Sequence, residues 1–418
     1  MLLMQFYSFK YFLKLTNLCF MKILINILLL LLLVYTISCD KDDETEQNHN
    51  TWTYNIPQKV PGDWETASLD IEGFDIKPFS DMMNLLIKNN DNHGYHSILV
   101  VKNSKLVFEE YFSGFDRHYI SSTTDGTTVF NKDTLHHLAS VSKSITSACL
   151  GIAIDKGFIN SVEDRIISFL PECTEYSNDQ KNQISIKNCC TMRSGFPWDE
   201  STYPYNDSRN DLYKILSSLE PMKFYFNREL ISSPGGEFLY NSGDAILLGE
   251  LVHRSSGTSL VKFAEKYLFN PLGINSYDFW LLPYADSITF ASGGLYLRPR
   301  DMAKIGQLYL NKGLWNGERI ISENWVIEST NPSVNFTTNE QLNYQATGYS
   351  YQWWNEKFVK SGIQVLSFSA RGLGEQYIVV VPEFELVIVM TGGFYDYSTA
   401  RSLEWFDAIQ NYILAALY

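Results

Sequence analysis

The sequence predicts an α+β protein in which an antiparallel sheet, flanked by helices, takes strands from both ends of the chain and an all-helical lobe is inserted between them. Three observations carry this. Near the start, the stretch 97–101, a turn at Asn103-Ser104 and the stretch 106–111 read as a hairpin. Late in the chain, strand patterns return at 364–368, 376–381 and 385–390. Between them the pattern is helical and punctuated by Pro and Gly from 162 to about 272. A cleft is expected where sheet and lobe meet.

The chain has 418 residues, 45% hydrophobic and 15% aromatic, enough to bury a large core. With 33 Lys plus Arg against 47 Asp plus Glu, its net charge is −14. No basic run is present, so nucleic acid is not an expected partner. The four cysteines beyond residue 40, Cys149, Cys173, Cys189 and Cys190, lack metal-ligand spacing, and no metal or cofactor is expected.

In chain order, residues 1–38 read as a leader whose start is placed at Met21. Met21-Lys22 precedes an apolar run over 23–34, broken only by Asn26, and Ser38-Cys39 then meets an abruptly acidic stretch. The small residue before Cys39 resembles a bacterial lipobox, which implies acylation of Cys39 and attachment to a membrane. The acidic residues after it resemble the tether of some surface lipoproteins. The expected location is therefore the cell envelope, periplasmic or at the surface. An N-terminal transmembrane helix is the competing reading, although the run is shorter than the roughly 20 residues a span needs.

Residues 39–75 read as a polar tether and irregular lead-in, and 76–418 as the globular domain, with the helical lobe at roughly 158–290. Residues 79–88 have helical periodicity. Residues 139–155 are apolar nearly all round and stop at Lys156-Gly157, so this helix has to be buried. A closing helix is expected from about 399 to 417.

The buried helix opens with Ser140-Val141-Ser142-Lys143. Residues three apart share a helix face, so the Ser140 hydroxyl and the Lys143 amine can meet. Serine needs a base, and a lysine of ordinary pKa, ~10.4, cannot serve at neutral pH. Burial and the positive helix N-terminus both disfavour the ammonium form and move the amine toward a usable base. The same N-terminus aims backbone N–H groups at a developing oxyanion. The S-x-x-K spacing also occurs at Ser38 and Ser259. The first spans the predicted leader cut, and the second begins an ordinary amphipathic helix.

With Leu138-Ala139-Ser140-Val141-Ser142-Lys143 as anchor, further landmarks follow in order. They are Thr191-Met192-Arg193-Ser194-Gly195, Pro234-Gly235-Gly236-Glu237-Phe238-Leu239-Tyr240-Asn241-Ser242-Gly243, Leu247-Leu248-Gly249, Ser292-Gly293-Gly294 and Arg300-Asp301-Met302-Ala303. Over roughly 76–418 the chain resembles the class C β-lactamase-related serine hydrolases, a group that also holds D-aminopeptidases, family VIII carboxylesterases and 6-aminohexanoate-dimer hydrolase. The resemblance implies a β-lactamase/transpeptidase-like fold and an acyl-enzyme on Ser140. It implies Lys143 as base and Tyr240 as proton relay, placed by its Pro-Gly and Leu-Leu-Gly framing. The family's asparagine after the tyrosine is replaced by Ser242 or shifted to Asn241. The third family element falls on Arg371-Gly372-Leu373-Gly374, expected to line the far wall and lend an oxyanion N–H. It lacks the usual Lys or His, which counts against β-lactam specificity, and Arg371 substitutes only if it faces the cleft.

Trp198, beyond the Ser194-Gly195 turn, is a candidate substrate wall. His136-His137 are read as packing or surface residues rather than ligands, because neighbours in an extended segment point to opposite sides. The aromatic run 349–354 is read as core. The sequence thus points to a hydrolase of a small ester or linear amide. A non-catalytic envelope binding protein of the same fold and a true β-lactamase are the alternatives.

Overall fold

The computed structural model describes residues 52–89, 94–115, 127–336, 346–395 and 402–418. The predicted leader, Cys39 and the acidic tether lie outside the described residues. Among those described, no helix is long and apolar enough to cross a membrane.

The predicted hairpin is β1 (Tyr95–Lys102) and β2 (Lys105–Tyr111), closed by Asn103 and Ser104 with φ of 51° and 62°. Two left-handed residues in a two-residue loop match the right-handed twist of the strands they join. The remaining strands of the sheet are β3 (Val334–Asn335), β4 (Ala346–Ser350), β5 (Trp353–Lys360), β6 (Ile363–Gly372), β7 (Gln376–Val381) and β8 (Leu386–Gly392). Their order is β3-β4-β5-β6-β7-β8-β1-β2, with every neighbouring pair antiparallel. The first strand therefore pairs with the last, Leu99 opposite Val389, and the two ends of the chain share one sheet.

Alternation along β1 divides the core. Ile98 and Val100 face α1 (Ile76–Asn89) and the C-terminal helical segment around Trp405 and Ile409. Leu99 and Val101 face α2 (Val141–Asp155) and the helices beyond it. On that second face lie α3 (Ser242–Ser256) and α4 (Pro299–Leu310). At Gly306 of α4, an added Cβ would stand 2.5 Å from Val387 Cγ1 and 2.8 Å from Ile378 Cγ2, so only glycine lets the helix lie this close to β7 and β8.

Helix α2 is buried throughout its first thirteen residues, Val141 to Ala153. Each large aliphatic it buries, such as Ile145, Leu150 or Ile152, contributes about 1.5–3 kcal/mol. Three of its polar residues reach out of the helix. Ser142 Oγ accepts from Leu295 N at 3.1 Å, Ser144 Oγ donates to Gln352 O at 2.6 Å, and Thr146 Oγ1 donates to Ala291 O at 2.9 Å. These bonds pin the segment 291–295 against the start of the helix. The helix ends at Gly157, in the left-handed region at φ 75°.

The structure differs from the sequence reading at five places. The aromatic run 349–354 is core, with Trp353 fully buried, but it is also the β4–β5 turn, reversed at Gln352 with φ 66°. Strand β5 carries Asn355, Glu356 and Lys357, and those polar residues mask its pattern. The end of the expected helical lobe contains the short strands Tyr277–Phe279, Leu281–Leu282 and Ala285–Thr289. Tyr277–Phe279 pairs with Leu295–Leu297, which pairs in turn with His136–His137. The closing helix is short: Trp405–Asp407 runs into a wider π turn at Ala408–Ile413. Finally, the lead-in from Trp52 onward packs against the domain, burying Trp64, Leu69 and Phe74.

Candidate active site

The turn entering α2 is strained. Ala139 has a φ of 45°, a conformation that costs a residue with a Cβ roughly 1–2 kcal/mol. Neighbours hold it: Leu138 N donates to Leu295 O at 2.9 Å, and Val141 N to Leu138 O at 3.1 Å. Gly372 of β6 lies so close to the Leu138 carbonyl that no side chain fits there. The result presents Ser140 half-buried at the helix start.

Lys143, one turn later, is 2% exposed, and its Nζ lies 2.8 Å from Ser140 Oγ and 3.0 Å from Ser292 O. Burial moves its pKa down to about 8, against a smaller upward pull from the Glu200 carboxylate. The Tyr240 ring centroid is 4.9 Å from the same Nζ. Tyr240 stacks on Trp354, with centroids 5.7 Å apart and planes at 25°. The predicted serine, lysine and tyrosine therefore converge.

The path to Tyr240 is fixed from both sides. Arg193 Nε donates to Gly236 O at 2.6 Å, and Leu239 N donates to Met192 O at 2.9 Å. On the far side Asn241 caps α3, its Oδ1 accepting from Asp244 N at 3.2 Å while its Nδ2 donates to Tyr225 Oη at 2.8 Å. Tyr225 Oη in turn donates to Asp244 Oδ1 at 2.7 Å. Burial raises the Asp244 carboxyl to about 7. Asn241 is thus a buried cap, and Ser242 is the residue of the pair that lines the cleft, with Ala139, Ser140, Tyr205, Ser292 and Leu373 around it.

The far wall is formed where expected, but not all of it serves the cleft. Leu373 lines it. The room left by Gly372 is taken by Leu138 O, and that left by Gly374, at φ 85°, by the Tyr395 ring, so neither glycine's space is reserved for a substrate. Among the described residues, neither Ser140 N nor Leu373 N has an acceptor, and both residues line the same cleft.

Arg371, whose side the sequence left open, does not line the cleft beside Ser140: next to Ser369, it pairs with Glu356 at 2.6 Å, and its guanidinium lies 4.9 Å from the Trp405 ring and 5.3 Å from Trp354, the ring stacked on Tyr240. One expectation is corrected. Trp198 is 6% exposed and is not a cleft wall. It packs edge-on against Tyr225 and donates its Nε1 to Glu200 Oε2 at 2.6 Å. His136 and His137 are buried, with His136 Nε2 2.6 Å from His96 Nδ1 and His137 Nε2 2.7 Å from Gly293 O. Burial pushes His136 down to about 4. Among the described residues no cluster of three or more His, Cys, Asp or Glu is arranged to hold a metal ion.

Sequence reasoning missed Glu200, which accepts from Ser242 N at 3.2 Å and acts electrostatically on Lys143. It also missed Ser292, whose carbonyl holds the lysine. The Ser292-Gly293-Gly294 landmark was the available signal for the second. Nothing local marks the first.

A seryl hydroxyl against a buried lysine, with a tyrosine over the amine, defines a serine hydrolase of the S-x-x-K class. The family model described as Beta-lactamase matches residues 92–409, and the chain belongs to that family. The 6-aminohexanoate-dimer hydrolase of Paenarthrobacter ureafaciens is 25% identical over 317 residues, 72% of this chain and 74% of that protein. An Escherichia coli (strain K12) protein named for a proposed D-alanyl-D-alanine carboxypeptidase activity is 25% identical over 214 residues, and the chain spans about half its length: 50% of this chain and 48% of that protein are covered. In fold, the chain is similar to the octameric penicillin-binding protein homologue from Pyrococcus abyssi, with a TM-score of 0.59 and 18% identity over 81% of this chain and 76% of that one.

Proposed function

We propose that this serine hydrolase forms an acyl-enzyme on Ser140 and hydrolyses a neutral ester or linear amide. The observation that carries the reading is the Lys143 amine held between Ser140 Oγ and the Ser292 carbonyl. A neutral amine has two N–H groups and one lone pair. With one N–H on Ser292 O, the lone pair can turn to the Ser140 O–H.

In acylation, Ser140 Oγ bonds to the substrate carbonyl carbon as its proton passes to Lys143 Nζ. The carbonyl oxygen becomes an oxyanion between the N–H groups of Ser140 and Leu373. The carbon–leaving-group bond then breaks, and the departing alkoxide or amine takes a proton through the Tyr240 phenol, which Lys143 replenishes. Water repeats the sequence on the acyl-enzyme, its proton going to the same relay while Ser140 Oγ leaves and recovers its own. Preorganised donors of this kind lower the barrier by about 2.7–4 kcal/mol each.

Substrate charge is argued from the lining. Among the described residues around the cleft, none is Arg and Lys143 is already committed to Ser140, so a substrate carboxylate finds no free cation. Arg371 is engaged by the Glu356 carboxylate at 2.6 Å. This favours substrates without an essential carboxylate over β-lactams; the relative named for an amino-acid dimer supports the linear amide bond alone, because such a dimer itself ends in a carboxylate. A p-nitrophenyl ester should give a stoichiometric burst with the wild type and none with Ser140→Ala, while nitrocefin is turned over poorly. Equal bursts from the two proteins reject the assignment, and rapid nitrocefin turnover rejects the substrate class.

A further inference from the structure

Position 376 opens β7 on the sheet face that Ala370 and Ile378 fill with apolar side chains. An aliphatic residue would suit that face, yet the residue is Gln376, and it is fully buried. Burying a carboxamide without partners costs about 2–7 kcal/mol. Here the carboxamide is used three times. Its Nε2 donates to Gly392 O at 2.6 Å and to Leu373 O at 3.2 Å, and its Oε1 accepts from Gly392 N at 3.3 Å.

These bonds clamp the turn between β6 and β7. That turn holds two successive left-handed residues, Gly374 at φ 85° and Glu375 at φ 74°, and the second conformation is unfavourable for a side-chain-bearing residue. Beneath it lies Gly392, where an added Cβ would stand 2.8 Å from the Gly374 carbonyl oxygen and 3.1 Å from Glu375 Cβ. Ahead of it, Gly372 is packed against Leu138 O, two residues before Ser140. Leu373 is the residue of this turn that lines the cleft, and its N–H has no acceptor among the described residues.

We infer that Gln376 is a positioning residue for the reaction: by holding the Leu373 carbonyl to the end of β8, it fixes the Leu373 N–H at the point where substrate negative charge develops. The inference rests on the acyl-enzyme reading above. Gln376 touches no reacting atom. Its contribution is to a donor that acts mainly in the transition state, so losing it lowers the acylation rate and leaves ground-state binding nearly unchanged.

The test uses Gln376→Met, which keeps volume and burial but removes all three hydrogen bonds, and Gln376→Asn, which keeps the amide one methylene too short. Pre-steady-state acylation is measured with a p-nitrophenyl ester and with its thionoester, whose sulfur is a weaker hydrogen-bond acceptor in an oxyanion hole. Both variants should acylate with the oxygen ester about 10-fold or more slowly, with the substrate dissociation constant, read from the concentration dependence of the burst rate, within about twofold of wild type, since deleting a whole donor costs about 10²–10³. The oxygen-to-sulfur rate ratio should fall by a similar factor. That ratio is independent of the fraction folded, so it reads positioning even in a destabilised variant. An unchanged ratio in both variants overturns the role of Gln376 alone. A wild type with no Ser140-dependent burst overturns the acyl-enzyme reading, and the inference with it.

Discussion

At the scale of single residues, the chemistry depends on how a lysine is kept neutral. Lys143 has little solvent to stabilise its charge, and its pKa falls to about 8, so the free amine is a minority form at pH 7 and predominates above about 8. Glu200 works against this, since its carboxylate favours the ammonium form. The rate of ester acylation should therefore rise with pH through about 8 in the wild type. Glu200→Gln, which keeps an acceptor for Trp198 Nε1, should move that limb to lower pH, and a limb that stays in place in a pH–kcat/KM profile would remove Glu200 from the account. The same shift bears on stability. Because the folded pKa lies below the unfolded value of 10.5, the buried charge opposes folding in full below about pH 8, and that opposition disappears as pH rises toward 10.5. Ser140 and Lys143 were legible in the text because their spacing is local and their helix is apolar all round. Glu200 was not legible, because the contact that matters, Ser242 N, is 42 positions away in the chain.

At the scale of elements, the start of α3 is the second support of the site. Tyr240 and Ser242 flank Asn241, and Asn241, Tyr225 and Asp244 form a closed set of hydrogen bonds beneath them. Asp244 is fully buried, and desolvation raises its carboxyl from 3.8 to about 7. A raised carboxyl pKa means the folded state holds its proton more tightly than the unfolded chain. The stabilisation is fully present below about pH 4 and is lost as pH rises through 7. Asp244→Asn keeps an oxygen for the Tyr225 hydroxyl and never ionises. Its urea midpoint should fall less than that of wild type between pH 5 and 8, and parallel declines would show that another group dominates. The element types here were readable from periodicity and from the Pro-Gly and Leu-Leu-Gly punctuation. Strand β5 was not, since Asn355 and Glu356, adjacent and both buried, put a polar residue on each of its faces and erase the apolar alternation.

At the scale of the molecule, charges join the lead-in to the hydrolase fold. Arg300 of α4 is almost completely buried and donates through Nε and Nη2 to Glu109 of β2, at 2.7 Å and 2.5 Å. Its remaining contacts are with the lead-in: Asp63 at 3.1 Å and the Gln58 carbonyl at 2.9 Å. Lys304, one turn along, pairs with Asp301 at 2.9 Å and reaches Asp63 at 3.4 Å. Removing one member of such a group leaves buried charges without partners, which costs about 3–5 kcal/mol. Arg300→Ala should lose stability on that order in denaturant titration, while Lys59→Ala, whose pair with Glu65 is exposed, should lose less than about 1 kcal/mol. Similar losses from both would mean that burial of the network carries no special weight.

Residue order alone determined the hairpin, most of the late strands and where the buried helix begins, and it put Ser140, Lys143 and Tyr240 forward as one site. Each of those rests on neighbours within a few positions or on a run of landmarks in order. Only the tertiary structure decided that Arg371 turns to Glu356, that Trp198 supports Glu200 instead of lining the cleft, and that Gln376 holds the Leu373 turn. Alternation along a strand says that successive side chains take opposite sides. Which side is the cleft, and what waits there, depends on partners brought together from distant parts of the chain.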